Sequence, residues 1–367
     1  MQRTGMTNLP LHTGNAPPWL FKRMVRMGGA ITEAIIDEYG HDEFLRRISD
    51  PYFFQSLGCV IGFDWHSSGL TTTLCGALKE GINKADVGMF IAGGKGAASR
   101  KAPGQIESAS ESFGITTAKS EKLVYSSRMA AKVDNSLVQD SYQLYHHCFF
   151  LTEKGKWSVV QQGLGHENSY ARRYHWLSNN VKSFVEEPHS AICADKQENE
   201  TLDMTSRESG DARRISVDVV NDGEFRRFFR DMKQKTLADF SSDGGLKRFS
   251  MQRSHYIKDM HQINMRTLER AYELQPKNYE GLSAVKGMGP KAIRSLALIS
   301  DIVHGKKASW KDPAKFSFAH GGKDSVPYPV DRELMDRSTD MLRDAIRQAR
   351  IGEKDEMKAI RKLANFI

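Results

Sequence analysis

The stretch Gln143-Leu144-Tyr145-His146-His147-Cys148-Phe149-Phe150-Leu151 is followed, after a short gap, by Lys156-Trp157-Ser158-Val159-Val160-Gln161-Gln162. Both runs are rich in the aromatic and β-branched residues that suit a pleated surface. Between them, Glu153-Lys154-Gly155 supplies a turn with a glycine where a positive φ is wanted. The pair predicts a β-hairpin, and the rest of the fold is read outward from it. Upstream, Val87-Gly88-Met89-Phe90-Ile91-Ala92 is another strand candidate, and Ile106 to Gln139 is helical by composition. Strands, then helices, then strands again predict a mixed α/β or α+β domain.

Further toward the N-terminus, Pro17-Pro18 opens a helix in which Leu20, Phe21, Met24, Met27 and Ile31 recur at helical spacing. A second short helix is expected around His41 to Ile48, and Asp50-Pro51 starts another turn or helix. Cys59-Val60-Ile61-Gly62-Phe63-Asp64-Trp65 is short, apolar and rich in β-formers. It reads as a strand, with Leu70 to Leu78 as its hairpin partner across Ser67-Ser68-Gly69.

Toward the C-terminus, Asp195 to Arg214 is polar and reads as a linker or long exposed loop. Ile215-Ser216-Val217-Asp218-Val219 alternates and is expected to be one last strand. From Gly223 onward the pattern is helical, beginning with Phe225, Phe228, Phe229 and Met232. The expected fold class is therefore α+β. A mixed α/β domain spans residues 1–194, a linker and edge strand 195–221, and an all-α domain 222–367.

The chain has 367 residues, 39% hydrophobic and 27% charged, which suffices to bury a core without staples. No stretch approaches the ~18 uninterrupted apolar residues of a spanning helix, so no membrane partner is expected. The N-terminus carries no apolar signal-peptide core, and the chain is read as cytoplasmic. Cys59, Cys75, Cys148 and Cys193 are scattered, and buried thiols are the simplest reading. With no cysteine after Cys193, a Cys-ligated iron–sulfur cluster in the C-terminal half is excluded. The net charge is +8, and residues 245–315 hold 14 Lys/Arg against 6 Asp/Glu. Positive charge concentrated in this way suits a polyphosphate partner.

Within that basic window lies the most informative motif, Tyr279 to Ile302. A short helix ends at Val285, Gly287-Met288-Gly289 makes a tight turn, and Pro290 stands at the first position of a new helix. Ile293, Leu296, Ala297 and Ser300 follow at helical spacing. This resembles the helix-hairpin-helix, a DNA-backbone-binding motif of repair and replication proteins. Two glycines let the backbone approach a phosphate, and the helix start favours an anion. The resemblance implies DNA contacts from Lys286, Gly287, Met288, Gly289, Pro290, Lys291 and Arg294, made to sugar-phosphate without reading sequence. An ordinary helical corner is the alternative.

A wider resemblance is to the DNA glycosylase superfamily named for this motif followed by a Gly/Pro-rich stretch and an Asp. Its bifunctional members carry a Lys just after the hairpin Gly, here Lys291. Pro329-Val330-Asp331 looks like the end of the signature and implies Asp331 as its carboxylate. The implied chemistry is base excision with abasic-site lyase activity. A partly dry Lys would attack C1′, a carboxylate would stabilise the cationic sugar or move the proton, and the base would be flipped out. Otherwise Asp331 is a cap on a helix over Arg332 to Arg347, and Lys291 is a phosphate contact.

Other polar groups leave a second chemistry open. Asp64 and His66 fall two apart at the expected strand end, on one face. With Asp140 and His146 they are candidate metal ligands, and a nuclease would take Mg²⁺ or Mn²⁺ there. Lys95, Arg100 and Lys101 lie in a Gly-rich basic loop, Gly93 to Lys101, of the type that cradles phosphates. Arg172 and Arg173 sit among Tyr170, Tyr174 and Trp176, a mixture that suits backbone contact and base stacking as well as it suits inward packing.

Over nearly its full length the chain resembles an uncharacterised prokaryotic family, domain of unknown function seven-sixty-three. The resemblance rests on Leu9-Pro10-Leu11-His12-Thr13-Gly14, Phe63 to Gly69, Val159 to Gly163, Ala171 to Trp176 and Phe318 to Asp324. It brings no activity with it. Three readings follow: a DNA-repair glycosylase/lyase using Lys291 and Asp331, a metal-dependent nuclease, and a non-catalytic DNA-binding module. All three take DNA as the partner.

Overall fold

The computed structural model describes residues 16–63, 68–165, 170–194, 197–234, 265–314, 332–349 and 351–364. The expected hairpin is the centre of the molecule. Strands β3 (Tyr142–Thr152) and β4 (Trp157–Gly165) pair antiparallel, with Leu151 opposite Trp157 and Gly155 at φ 72° in the turn. With β1 (Met89–Lys95), β5 (Ala171–Leu177) and β6 (Ala191–Cys193) they form an antiparallel sheet in the order β1-β3-β4-β5-β6. Strands β2 (Val138–Gln139) and β7 (Leu202–Asp203) pair separately.

Helices cover both faces of the sheet, and the strands divide their side chains between them with a period of two. Ala92, Phe149, Leu151, Val159 and Trp176 join one apolar cluster. Ile91, Cys148, Phe150, Val160 and Leu177 join the other. Burial on both faces explains why Cys148-Phe149-Phe150-Leu151 is apolar throughout rather than alternating with polar residues.

On the second face lie α1 (Pro18–Ile48), α2 (Pro51–Val60) and α3 (Gly69–Ile82). The two expected N-terminal helices are both present: Gly40, at φ 82° and ψ 168°, is non-helical and breaks α1 into two helices joined by a kink. Asp50 caps α2, its carboxylate accepting the Tyr52 and Phe53 N–H groups at 2.9 Å. That cap and Pro51 start a helix that runs through Cys59 and Val60, which therefore do not open a strand. Leu70 to Leu78 is likewise helical. Leu70, Leu74 and Leu78 are all buried at a spacing of four, and this period outweighs the β preference of the three threonines.

The first face carries α4 (Ala102–Ser112), α5 (Thr117–Ser136), α6 (Gly210–Asn221), α7 (Glu224–Gln234), α8 (Met265–Leu274), α9 (Tyr279–Ala284) and α10 (Pro290–His304). Ile215 to Val219 belongs to α6 and is not a strand. Ala212, Ser216, Val217 and Val220 make its buried stripe. The polar stretch before it is also built in, because Thr201, Leu202 and Met204 are buried. Arg213 ties it down by donating to the Met204 carbonyl at 2.9 Å and the Ser206 carbonyl at 2.6 Å.

Helices α11 (Arg332–Gln348) and α12 (Glu353–Ala364) return to the second face, where Leu342, Ile346, Ala359 and Leu363 join the α1–α3 cluster. Arg26 pairs with Asp355 across that contact. Each apolar cluster thus draws on residues before 194 and after 222.

Candidate nucleic-acid interface

The turn between α9 and α10 is assembled from opposed demands. Asn278 caps α9, accepting the Gly281 N–H at 2.8 Å. Val285 leaves the helix, and the Met288 N–H donates to its carbonyl at 3.0 Å. Val285, Met288, Ala292 and Ile293 are buried and draw the turn onto the core. Lys286, Gly287, Pro290 and Lys291 are consequently left exposed along the outer edge. Gly287 takes φ 95°, and a Cβ there would stand 2.7 Å from Thr267 Oγ1. Gly289 is the N-cap of α10, extended and with no side-chain cap, and Pro290 follows at the first helical position. The positive end of a 15-residue helix thus faces outward between two lysines.

Beside this turn is a cavity of about 300 Å³, lined by Asn135, Gln139, Ser141, Tyr142, Pro290 and Arg294 among others. Gln139 joins it to the turn. Its Nε2 donates to the Pro290 carbonyl at 2.9 Å, and its Oε1 accepts from Arg294 Nε at 2.8 Å. Ser141 holds a positive φ of 70°, a conformation few non-glycine residues adopt.

Behind the cavity lies a buried charge network. Arg172 donates to Asp140 at 3.0 Å and makes a fork with Asp312 at 3.0 and 2.6 Å, its guanidinium stacked 4.6 Å from the Tyr142 ring centre. The Tyr174 hydroxyl and the Tyr142 N–H also donate to Asp140, at 2.7 and 3.1 Å. Burial pushes the Asp140 carboxyl up despite the opposing pull of Arg172. Burial also works against the Arg172 charge, but the Asp140 and Asp312 carboxylates outweigh it and hold the proton more tightly than usual.

Arg172 and Arg173 are both fully buried, which corrects their expected role as DNA contacts. Arg173 donates to Gln55 at 3.0 Å, the Pro51 carbonyl at 3.2 Å and His175 Nε2 at 2.9 Å, and it stacks on Phe54. In a sheet covered on both faces, neither side of β5 reaches solvent, so alternation cannot bring either arginine out. Lys95, Arg100 and Lys101 are exposed at the end of β1 and in the following 3₁₀ turn.

Of the candidate catalytic and metal residues, Lys291, Asp140 and His146 lie among the described residues. Lys291 is exposed, without the dry surroundings that amine chemistry needs. Asp331, Asp64 and His66 lie outside the described residues. Asp140 is committed to Arg172, and His146 belongs elsewhere, with Cys75 and Cys148. Burial pushes the His146 imidazole down to about 3. Reading the residues one by one also missed Gln139, Ser141 and Asp312. Asp140-Ser141 immediately before the hairpin was the available signal for the first two, whereas Asp312 comes close only through folding.

The family model for "Protein of unknown function (DUF763)" matches residues 5–330. The chain belongs to this family. No curated protein and no solved structure matches it. The span matched in this DUF763 member contains the turn, the cavity beside it and the buried arginines.

Proposed function

We propose that the protein binds DNA by its sugar-phosphate backbone through residues 286–291 and serves DNA processing of the repair kind. The observation that carries this reading is the turn itself. Met288 is buried beneath it, while Lys286, Gly287, Pro290 and Lys291 are exposed at the uncapped start of α10. Backbone brought outward, a helix start and two ammonium groups make a phosphate-binding edge. Arg294 and the adjoining cavity extend it, and exposed Lys95, Arg100 and Lys101 supply a second basic loop.

Fluorescence anisotropy with labelled duplexes of unrelated sequence tests the reading. Lys286→Ala and Lys291→Ala should each weaken binding to all sequences alike and shallow the salt slope by about one unit. An unchanged slope in both variants would remove the turn from the interface.

Within this reading the chemistry is base excision, with Lys291 as the amine and Asp331 as the carboxylate. Its support is the position of Lys291 next to Pro290, which lines the cavity. Lys291 is open to water in the free protein, so bound DNA would have to exclude that water. Borohydride trapping on duplexes carrying an abasic site or damaged bases tests it. A covalent adduct that disappears in Lys291→Ala supports the chemistry, and no adduct from DNA-bound protein rejects it while leaving backbone binding intact.

A further inference from the structure

A second site lies away from the turn, between α3 and the interior of the sheet. Cys75 comes from α3, and His146 and Cys148 come from β3, two residues apart and so on the same face. Each offers one ligand atom, and these atoms all lie within 4.8 Å of one another. Strand β3 is flanked by β1 and β4, and the three residues are 1%, 1% and 0% exposed.

The histidine makes this more than a pair of buried thiols. Both ring nitrogens of His146 are buried with no hydrogen-bond partner among the described residues. Buried polar side chains are nearly always satisfied, and an imidazole with two orphaned nitrogens calls for an explanation. Opposite it in the β3–β4 register stands Gln162, whose Oε1 is also buried without a partner among the described residues. Cross-strand partners share a face, so orphaned acceptors gather on the side where the two thiols converge.

We propose that Cys75, His146 and Cys148 bind a single Zn²⁺ ion that fastens α3 to the middle of the sheet. Two sulfurs and one imidazole nitrogen form a soft donor set that selects Zn²⁺ over Mg²⁺ or Ca²⁺. On binding, each thiol releases one proton to solvent and the neutral imidazole donates its lone pair, so the ion's two charges are balanced by two thiolates. Three protein ligands leave a fourth position for a further oxygen donor. At this depth the ion is structural rather than catalytic. The proposal does not depend on DNA binding.

The test uses the full chain, purified with a thiol reductant, stripped by a chelator and titrated with Co²⁺ as a spectroscopic stand-in for Zn²⁺. We expect one equivalent to bind, with thiolate-to-cobalt charge-transfer absorption, and one equivalent of Zn²⁺ to displace it. Cys148→Ser should lose most of that absorption, and His146→Ala should weaken affinity by at least about tenfold. The spectrum of the wild-type protein decides the matter even if a variant fails to fold. Folded, reduced protein without the absorption would overturn the proposal. So would unaltered Co²⁺ affinity in folded Cys148→Ser, or a Cys75–Cys148 disulfide that persists under reductant.

Discussion

Two basic segments look alike in the sequence and behave oppositely in the fold. Arg172 and Arg173 stand among aromatic residues, and Lys286 and Lys291 flank a glycine turn. The first pair is fully buried, and the second is exposed. The difference lies in the backbone that carries each pair. Strand β5 is covered on both faces, so its charged side chains must find partners inside the protein: Asp140 and Asp312 for one arginine, Gln55, His175 and a carbonyl for the other. The turn exposes its lysines because Val285, Met288 and Ile293 fill the core in their place. Positive charge therefore organises the interior in one region and lies at the surface in the other.

The contrast can be broken most forcefully at Arg172. Its replacement by Ala would strand Asp140 and Asp312, each at most 2% exposed, without their cation. We expect a loss of about 3–5 kcal/mol in chemical denaturation. A loss below about 1 kcal/mol, as at an exposed site, would mean the network is not buried as described.

Acid probes the same interior. The His175 ring accepts from Arg173 Nε and faces the Ile48 carbonyl through Nδ1, and burial, with Arg173 beside it, holds it well below its ordinary value of 6.5. The unfolded chain therefore takes up a proton near pH 6.5 that the folded chain refuses. Stability from this group is complete above that pH and falls as the pH drops below it, by about 1.4 kcal/mol per unit. His147, held neutral mainly by burial, acts in the same direction. Asp140, whose carboxyl burial raises, acts oppositely at lower pH, gaining protonation on folding. Urea midpoints that stay flat from pH 7 to pH 5 would contradict neutral, buried imidazoles.

At the turn the effects are smaller. Gly287→Ala would force an alanine to φ 95° with its Cβ 2.7 Å from Thr267 Oγ1, and should cost about 1–2 kcal/mol while distorting the turn proposed to grip DNA. Lys286→Ala and Lys291→Ala should each alter stability by less than about 0.5 kcal/mol, whatever they do to DNA affinity. A large stability loss at either lysine would erase the distinction between the two regions.

What the sequence disclosed follows the same line. The β3–β4 hairpin, the turn at Gly155 and the Gly-Met-Gly-Pro corner were legible because turn chemistry is local. The strands expected at 59–65 and 215–219 were misread because short apolar runs do not declare their period. The helix through Cys59 was set by the Asp50 cap, and that through Val217 by packing on α10. The arginine network and the Cys75–His146–Cys148 cluster were out of reach, since their members come from distant segments that only the folded sheet unites.

The most direct measurement is hydrogen–deuterium exchange of the full chain with and without saturating duplex DNA, read on peptides covering 285–294 and 171–177. Slowed exchange in the first with no change in the second is the predicted result. Binding that leaves 285–294 unprotected would contradict the assignment of this turn as the DNA-gripping edge.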